Sequence, residues 1–204
     1  MFFFKVTACV KEELREQQSV MHESMVNALR SGVATPGPGQ QMMASQQRTL
    51  MQDVKAALDK RQYNAAFRLA LTATDLDAVL YVCEKCPLKE VFGRPDVLEM
   101  AVLFSMVQQL GVDIGSRTRL KVEYLEESLF AIGGRFEDLD HNSFKYLRRV
   151  LQDLVKLLSK FMQAHPEHEM YRNIRMIAQN AELQLRQIDA MHGGASLKQE
   201  ATHD

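Results

Sequence analysis

The places where this chain can turn constrain its fold more than anything else in the sequence. Its 10 glycines and 5 prolines fall at 32–39, 87–95, 111–115, 133–134, 166 and 193–194, with none between. Against 204 residues, that is roughly half the usual combined share of about 12%. A chain so short of backbone breakers has few connections, and each cluster marks a break between helices or helix pairs.

The apolar residues between the breaks recur at helical spacing. Leu50, Val54, Ala57 and Leu58 follow i, i+4, i+7, i+8, with Lys55, Asp59, Lys60 and Arg61 on the other side. Asn64 to Leu71 is rich in alanine, which lets a neighbouring helix approach closely. Thr74-Asp-Leu-Asp77 has the form of a capping box and opens a helix that stops before Pro87. Val97 to Leu110 is apolar on most sides, which predicts a place at the domain centre. Arg117 to Ile132 is expected to bury Leu120, Tyr124, Leu125, Leu129 and Ile132. Phe144 to Met162 and Met170 to Ile188 carry the two most regular stripes, joined through Ala164–Glu167, which predicts an antiparallel helical hairpin. Seven helices of about 8–20 residues without strand-like alternation predict an all-α fold of stacked antiparallel hairpins, HEAT- or armadillo-like.

Domain boundaries follow from the same pattern. Residues 1–30 carry a thin heptad-like stripe (Val10, Leu14, Met21, Met25, Leu29) and read as a loose coil-like helix for oligomerisation. Residues 31–45, with alternating Pro and Gly, read as a linker. The helical interaction domain is expected over 46–190, and a disordered tail over 191–204.

Charge and cysteine content narrow the function. With 25 basic and 26 acidic side chains and a formal net charge of −1, bulk attraction to nucleic acid is excluded as the main activity. Three cysteines form no disulfide framework and indicate a reducing, intracellular setting. The apolar start Met1–Phe4 is cut by Lys5, too short for a signal-peptide core of about 7–15 residues or a membrane span.

No constellation of residues points to catalysis, a cofactor or a metal. Cys83-Glu-Lys-Cys86 has the C-x-x-C spacing but no second pair to complete a zinc site and no strand context for redox work, so both thiols are expected as buried packing groups. His165-Pro-Glu-His168 sits in a turn whose proline splays the imidazoles, and it reads as a helix start. Gly133-Gly134 lies between helices with no strand before it, unlike a phosphate-binding loop. An enzyme is not expected.

Two basic groups are candidates for partner binding. Arg117, Arg119 and Lys121 cluster at a helix N-terminus, where cations oppose the macrodipole; Arg119 has Glu123 at i+4, whereas the other two lack such an acid. They are the expected docking surface. The alternative is a basic face formed by Lys145, Arg148, Arg149, Lys156 and Lys160 opposite an apolar stripe. An RNA-binding use of that face would want interleaved aromatics for base stacking, and only Tyr146 is near.

Several stretches, in one order, resemble a known family. They are Asn64-Ala-Ala-Phe-Arg-Leu-Ala-Leu-Thr-Ala-Thr-Asp-Leu-Asp77, Val79-Leu-Tyr-Val-Cys-Glu84, Val91-Phe-Gly93, Gln108-Gln-Leu110, Arg117-Thr118 with Leu120-Lys121, and Tyr124-Leu-Glu-Glu127. Across roughly 46–165 the chain is similar to the C-terminal domain of the enhancer-of-mRNA-decapping scaffolds (Hedls, or Varicose in plants). The resemblance implies a non-catalytic scaffold of 5′-to-3′ mRNA decay with no cofactor. It implies contacts with the decapping enzyme complex and associated decay factors, and localisation to cytoplasmic processing bodies. It implies self-association through the preceding helix, RNA contact that is indirect or weak, and no membrane contact. The family's WD40 propeller and Ser-rich linker are missing here, so the chain is similar to the tail of a longer protein.

Overall fold

The computed structural model describes the backbone of residues 38–73 and 75–200 and the side chains of 47–73 and 75–191. The coil-like helix expected over 1–30, residues 31–37 of the expected linker, Thr74 and residues 201–204 lie outside the described residues. Two compact units divide the chain, Met1–Gln46 and Gln47–Asp204. Of the first, residues 38–46 are described, as helical backbone. The second holds the helical stack.

The described residues form eight α-helices and no strand: α1 (Pro38–Asp59), α2 (Tyr63–Thr72), α3 (Leu76–Lys85), α4 (Leu88–Phe92), α5 (Met100–Leu110), α6 (Thr118–Gly133), α7 (His141–Ala164) and α8 (Tyr171–Glu200), with a 3-10 turn at Phe136–Asp138. The helices pair as hairpins α2/α3, α5/α6 and α7/α8. Neighbouring hairpins stack in register: α2 lies on α5 and α5 on α7 in one layer, while α3 lies on α6 and α6 on α8 in the other. That two-layer order is the HEAT- or armadillo-like arrangement the sequence predicts. The last hairpin is antiparallel, since Arg148 near the start of α7 meets Asp189 late in α8 at 3.1 Å.

The stack closes because each helix buries one stripe. Helix α5 sits in the middle and buries Val102, Leu103, Phe104, Met106, Val107 and Leu110, each worth about 1.5–3 kcal/mol relative to exposure. Gly111 ends it beside α7, where an added Cβ would stand 2.8 Å from Leu154 Cδ1. Polar side chains tie one helix end to the next. The Tyr124 hydroxyl donates to the Cys83 and Cys86 carbonyls at 3.0 and 2.9 Å, taking up acceptors that the end of α3 leaves open. Gln109 Nε2 donates to the Leu71 carbonyl at the end of α2 (2.9 Å). Gln184 Nε2 on α8 donates to the Leu129 carbonyl on α6 (2.7 Å).

The helix ends also have local causes. Asp140 caps α7 by accepting from Ser143 N at 2.7 Å, and the Ser143 side-chain and backbone hydrogen bonds hold its carboxyl below the usual range. The end of α1 is a Schellman turn: Gln62 N donates to Ala57 O and Arg61 N to Leu58 O, both at 2.9 Å, with Arg61 left-handed at φ 54°.

Four details depart from the sequence expectations. Helix α3 is capped by Asp75, whose side chain accepts from Asp77 N (3.0 Å), one residue past the expected Thr74. Helix α4 is not among the expected seven; five residues between Pro87 and Gly93 are too few to show a period. Residues 38–45, expected as linker, are helical, because proline is tolerated in a first turn whose N–H groups lack intrahelical partners anyway. The backbone of residues 191–200, expected as disordered tail, continues α8: a helix anchored by packing propagates at little further cost, even through Gly193-Gly194 at about 1 kcal/mol each.

Candidate functional site

The three cations expected to form a docking surface diverge. Lys121 is 0% exposed. Its Nζ donates to the Val112 carbonyl (3.2 Å), the Asp113 carbonyl (2.6 Å) and Ser116 Oγ (3.2 Å), so it pins the α5–α6 loop from within. Burial lowers its pKa, opposed by the Asp113 charge and reinforced by Arg117. Lys121 therefore leaves the expected surface. The cause is its register in α6: it stands four residues before Leu125 and seven before Ser128, in the buried arc of Leu125, Ser128, Leu129 and Ile132.

Arg117 and Arg119 stay exposed but face different partners. Arg117 adopts a left-handed conformation at φ 48° ahead of α6 and pairs with Glu84 of α3. That acid is far away in sequence and so escapes an i+4 count. Arg119 pairs with Glu123 at 3.7 Å, as its spacing predicts. A surface pair of this kind is worth about 0.3–0.5 kcal/mol.

The alternative basic face is assembled along α7. Lys145, Arg149, Lys156 and Lys160 are exposed, opposite the buried Leu147, Val150, Leu151, Leu154 and Leu158. Arg148 turns aside to Asp189, and Lys156 meets Asp153 at 3.6 Å. Tyr146 is spent on structure, since its hydroxyl donates to Gln108 Oε1 at 2.9 Å and its ring packs on Phe104 at 6.0 Å. The face thus offers charge with a single partly exposed ring, Tyr146 at 43%, a poor match to single-stranded RNA, which wants several interleaved stacking aromatics.

The remaining motifs resolve into packing. Cys83 and Cys86 are buried; burial raises both thiols, Cys86 to about 12, which suppresses the thiolate needed for nucleophilic or metal chemistry. His165 and His168 both pack against the Phe161 ring, at 4.8 and 5.2 Å, and His168 Nδ1 accepts from Met170 N (3.0 Å). Among the described residues no group of three or more His, Cys, Asp or Glu is placed to hold a metal ion. No described helix is long and apolar enough to cross a membrane.

Among the described residues, exposed cations and apolar side chains offer a surface for non-covalent contact. The comparisons with known proteins fit that. The chain is 36% identical over 182 residues to enhancer of mRNA-decapping protein 4 of Xenopus laevis, covering 85% of this chain and 12% of that protein. For the Homo sapiens protein the identity is 36% over 174 residues, covering 83% and 12%. The Drosophila melanogaster homolog is 29% identical over 169 residues, covering 82% and 12%. The chain thus spans about an eighth of the length of these relatives, whose names describe enhancers of decapping and not decapping enzymes. Among solved structures, the conserved C-terminal region of Ge-1 superposes with a TM-score of 0.59 at 28% identity, over 67% of this chain and 98% of that one. The family model for the C-terminal part of enhancer of mRNA-decapping protein 4 matches residues 54–177, from within α1 to within α8, and the chain belongs to that family.

Proposed function

We propose that this chain is a non-catalytic scaffold that enhances mRNA decapping in 5′-to-3′ decay, its helical stack making protein contacts and directing the protein to cytoplasmic processing bodies. The observation that carries the reading is the family match across the stack, from α1 to α8. The geometry supports it physically: three hairpins locked by helix-end hydrogen bonds give a rigid surface, and binding to a preformed surface avoids most of the ordering cost. The partners are the decapping enzyme complex and its associated decay factors. Contact with RNA is indirect or weak, since the α7 face lacks a stacking platform of several aromatics. Affinity purification of the tagged chain from RNase-treated cytoplasmic extract, followed by mass spectrometry, tests this. Decapping subunits are the expected recovery; a profile without them, or one that vanishes with RNase, overturns it. Titration with single-stranded RNA addresses the other reading, for which micromolar binding falling steeply with salt would be required.

A further inference from the structure

The most exposed large apolar side chain among the described residues is Phe130 on α6, at 76%. It borders a groove of about 180 Å³ whose walls include Phe92, Pro95, Leu98, Leu103 and Ala131. An apolar cavity of roughly 150 Å³ admits benzene, so the groove has room for one large side chain. Arg94, in the α4–α5 connection, lines this groove and also a wider adjoining cleft that carries several charged side chains. The cleft carries Arg61, Lys89 and Arg94 against Glu90 and Asp96. Glu90 is already engaged by Arg61 at 3.3 Å and by the Tyr63 hydroxyl. In the groove, Arg135 is likewise spent on the Pro95 and Leu98 carbonyls at 3.0 and 2.8 Å and on Asp138 at 3.6 Å. The remaining acid at the groove is Glu127, one turn from Phe130. An apolar seat therefore abuts a ledge whose cations, Arg94 and Lys89, are exposed. That juxtaposition is what a short linear motif with an apolar anchor and neighbouring acids requires.

We propose that this groove takes a short peptide segment of a partner protein, seating a large apolar side chain against Phe130 while an acidic residue beside the anchor meets Arg94. The inference rests on the reading of the chain as a protein-docking module, and it names the place and chemistry of one contact. The wall between seat and ledge is tied by the two bonds from Arg135 to the Pro95 and Leu98 carbonyls, which keep the seat preformed.

Selection of random twelve-residue peptides on phage against the whole chain tests the proposal whichever decay factor carries the motif. The expected result is enrichment of peptides that pair a large apolar residue with Asp or Glu within three positions. Fluorescence anisotropy with the enriched peptides should then show affinity reduced at least ten-fold by Phe130→Ser and by Arg94→Glu, and unchanged by Lys55→Glu on α1. Both groove positions are exposed, so circular dichroism melts of the variants should match the parent. Enriched peptides that are basic, peptides that bind Phe130→Ser as well as the parent, or failure to enrich any peptide each overturn it. So does self-association that grows with protein concentration and that Phe130→Ser abolishes, which would assign the groove to a second copy. Recovery of decapping subunits alongside any of these failures would leave the scaffold reading standing and remove the groove from it.

Discussion

Replacing Lys121 with methionine separates an internal lysine from a surface one. On an exposed face, Lys121→Met would change stability by no more than about 0.5 kcal/mol. In the structure it removes the donor to the Val112 and Asp113 carbonyls and to Ser116 Oγ. Asp113 O keeps its bond from Ser116 N at 3.1 Å, so the Val112 carbonyl bears most of the loss. Hydrogen bonds to a charged group contribute about 1.5–3 kcal/mol each, and a buried orphan acceptor costs about 1–3 kcal/mol. The methionine also relieves the ammonium's desolvation, the cause that lowers its pKa, and offsets part of this. A net loss of about 2 kcal/mol follows, which in a chain of this size lowers the thermal midpoint by roughly 4–8 °C. The pH dependence gives a second reading. Because the folded-state pKa lies below the unfolded one, the unfolded chain binds this proton more tightly. The stability Lys121 contributes is complete above the unfolded pKa of about 10.4 and declines as pH falls through the folded value. The gap between parent and Lys121→Met in urea titrations should therefore widen from pH 7 toward pH 10. Equal stability at pH 7, or a gap that narrows as pH rises, would refute the buried assignment. Arg119→Met is the control and should move the midpoint by less than about 2 °C, since it forfeits one exposed pair.

Three further outcomes follow from the same geometry. Tyr124→Phe leaves the Cys83 and Cys86 carbonyls without their buried donor and should cost about 1–3 kcal/mol in urea unfolding; a cost under about 0.5 kcal/mol would mean that another donor reaches them. Arg61→Gly relieves a left-handed residue at φ 54° in the Schellman turn and should stabilise by up to about 1 kcal/mol, partly offset by loss of the exposed Glu90 pair at 3.3 Å; clear destabilisation would contradict the turn geometry. Cys83 and Cys86, with thiols raised by burial, should resist a thiol-reactive dye at pH 8 in the folded chain and react on denaturation. Rapid labelling of the native protein at either position would contradict their burial.

Helix order is legible in the sequence because long amphipathic stripes, such as Leu147, Leu151, Leu154 and Leu158 on α7, repeat over enough turns to outweigh local noise. The central place of α5 is legible for the same reason, since an all-round apolar helix has to be covered on most sides. Short-range chemistry is harder to read. At the start of α3, Thr74 and Asp75 offer capping oxygens in adjacent positions, and the structure uses Asp75. Charge misleads where it is judged by residue type alone. Lys121 has the look of a surface residue, although its spacing to Leu125, Ser128 and Ile132 places it on the buried arc. The partner of Arg117, Glu84, is 33 residues away in sequence, and no local pattern announces a contact made by stacking two hairpins. The groove beside Phe130 gives no signal for the same reason: Phe92, Pro95 and Leu98 come from one stretch of chain and Phe130 from another helix.

If the helical stack docks proteins of the decapping machinery, that contact should also localise it. Imaging the fluorescently tagged chain in living cells beside a tagged decapping enzyme measures this most directly. Co-concentration of both labels in processing bodies is the predicted result. An even cytoplasmic signal from a chain that circular dichroism shows to be folded would contradict it.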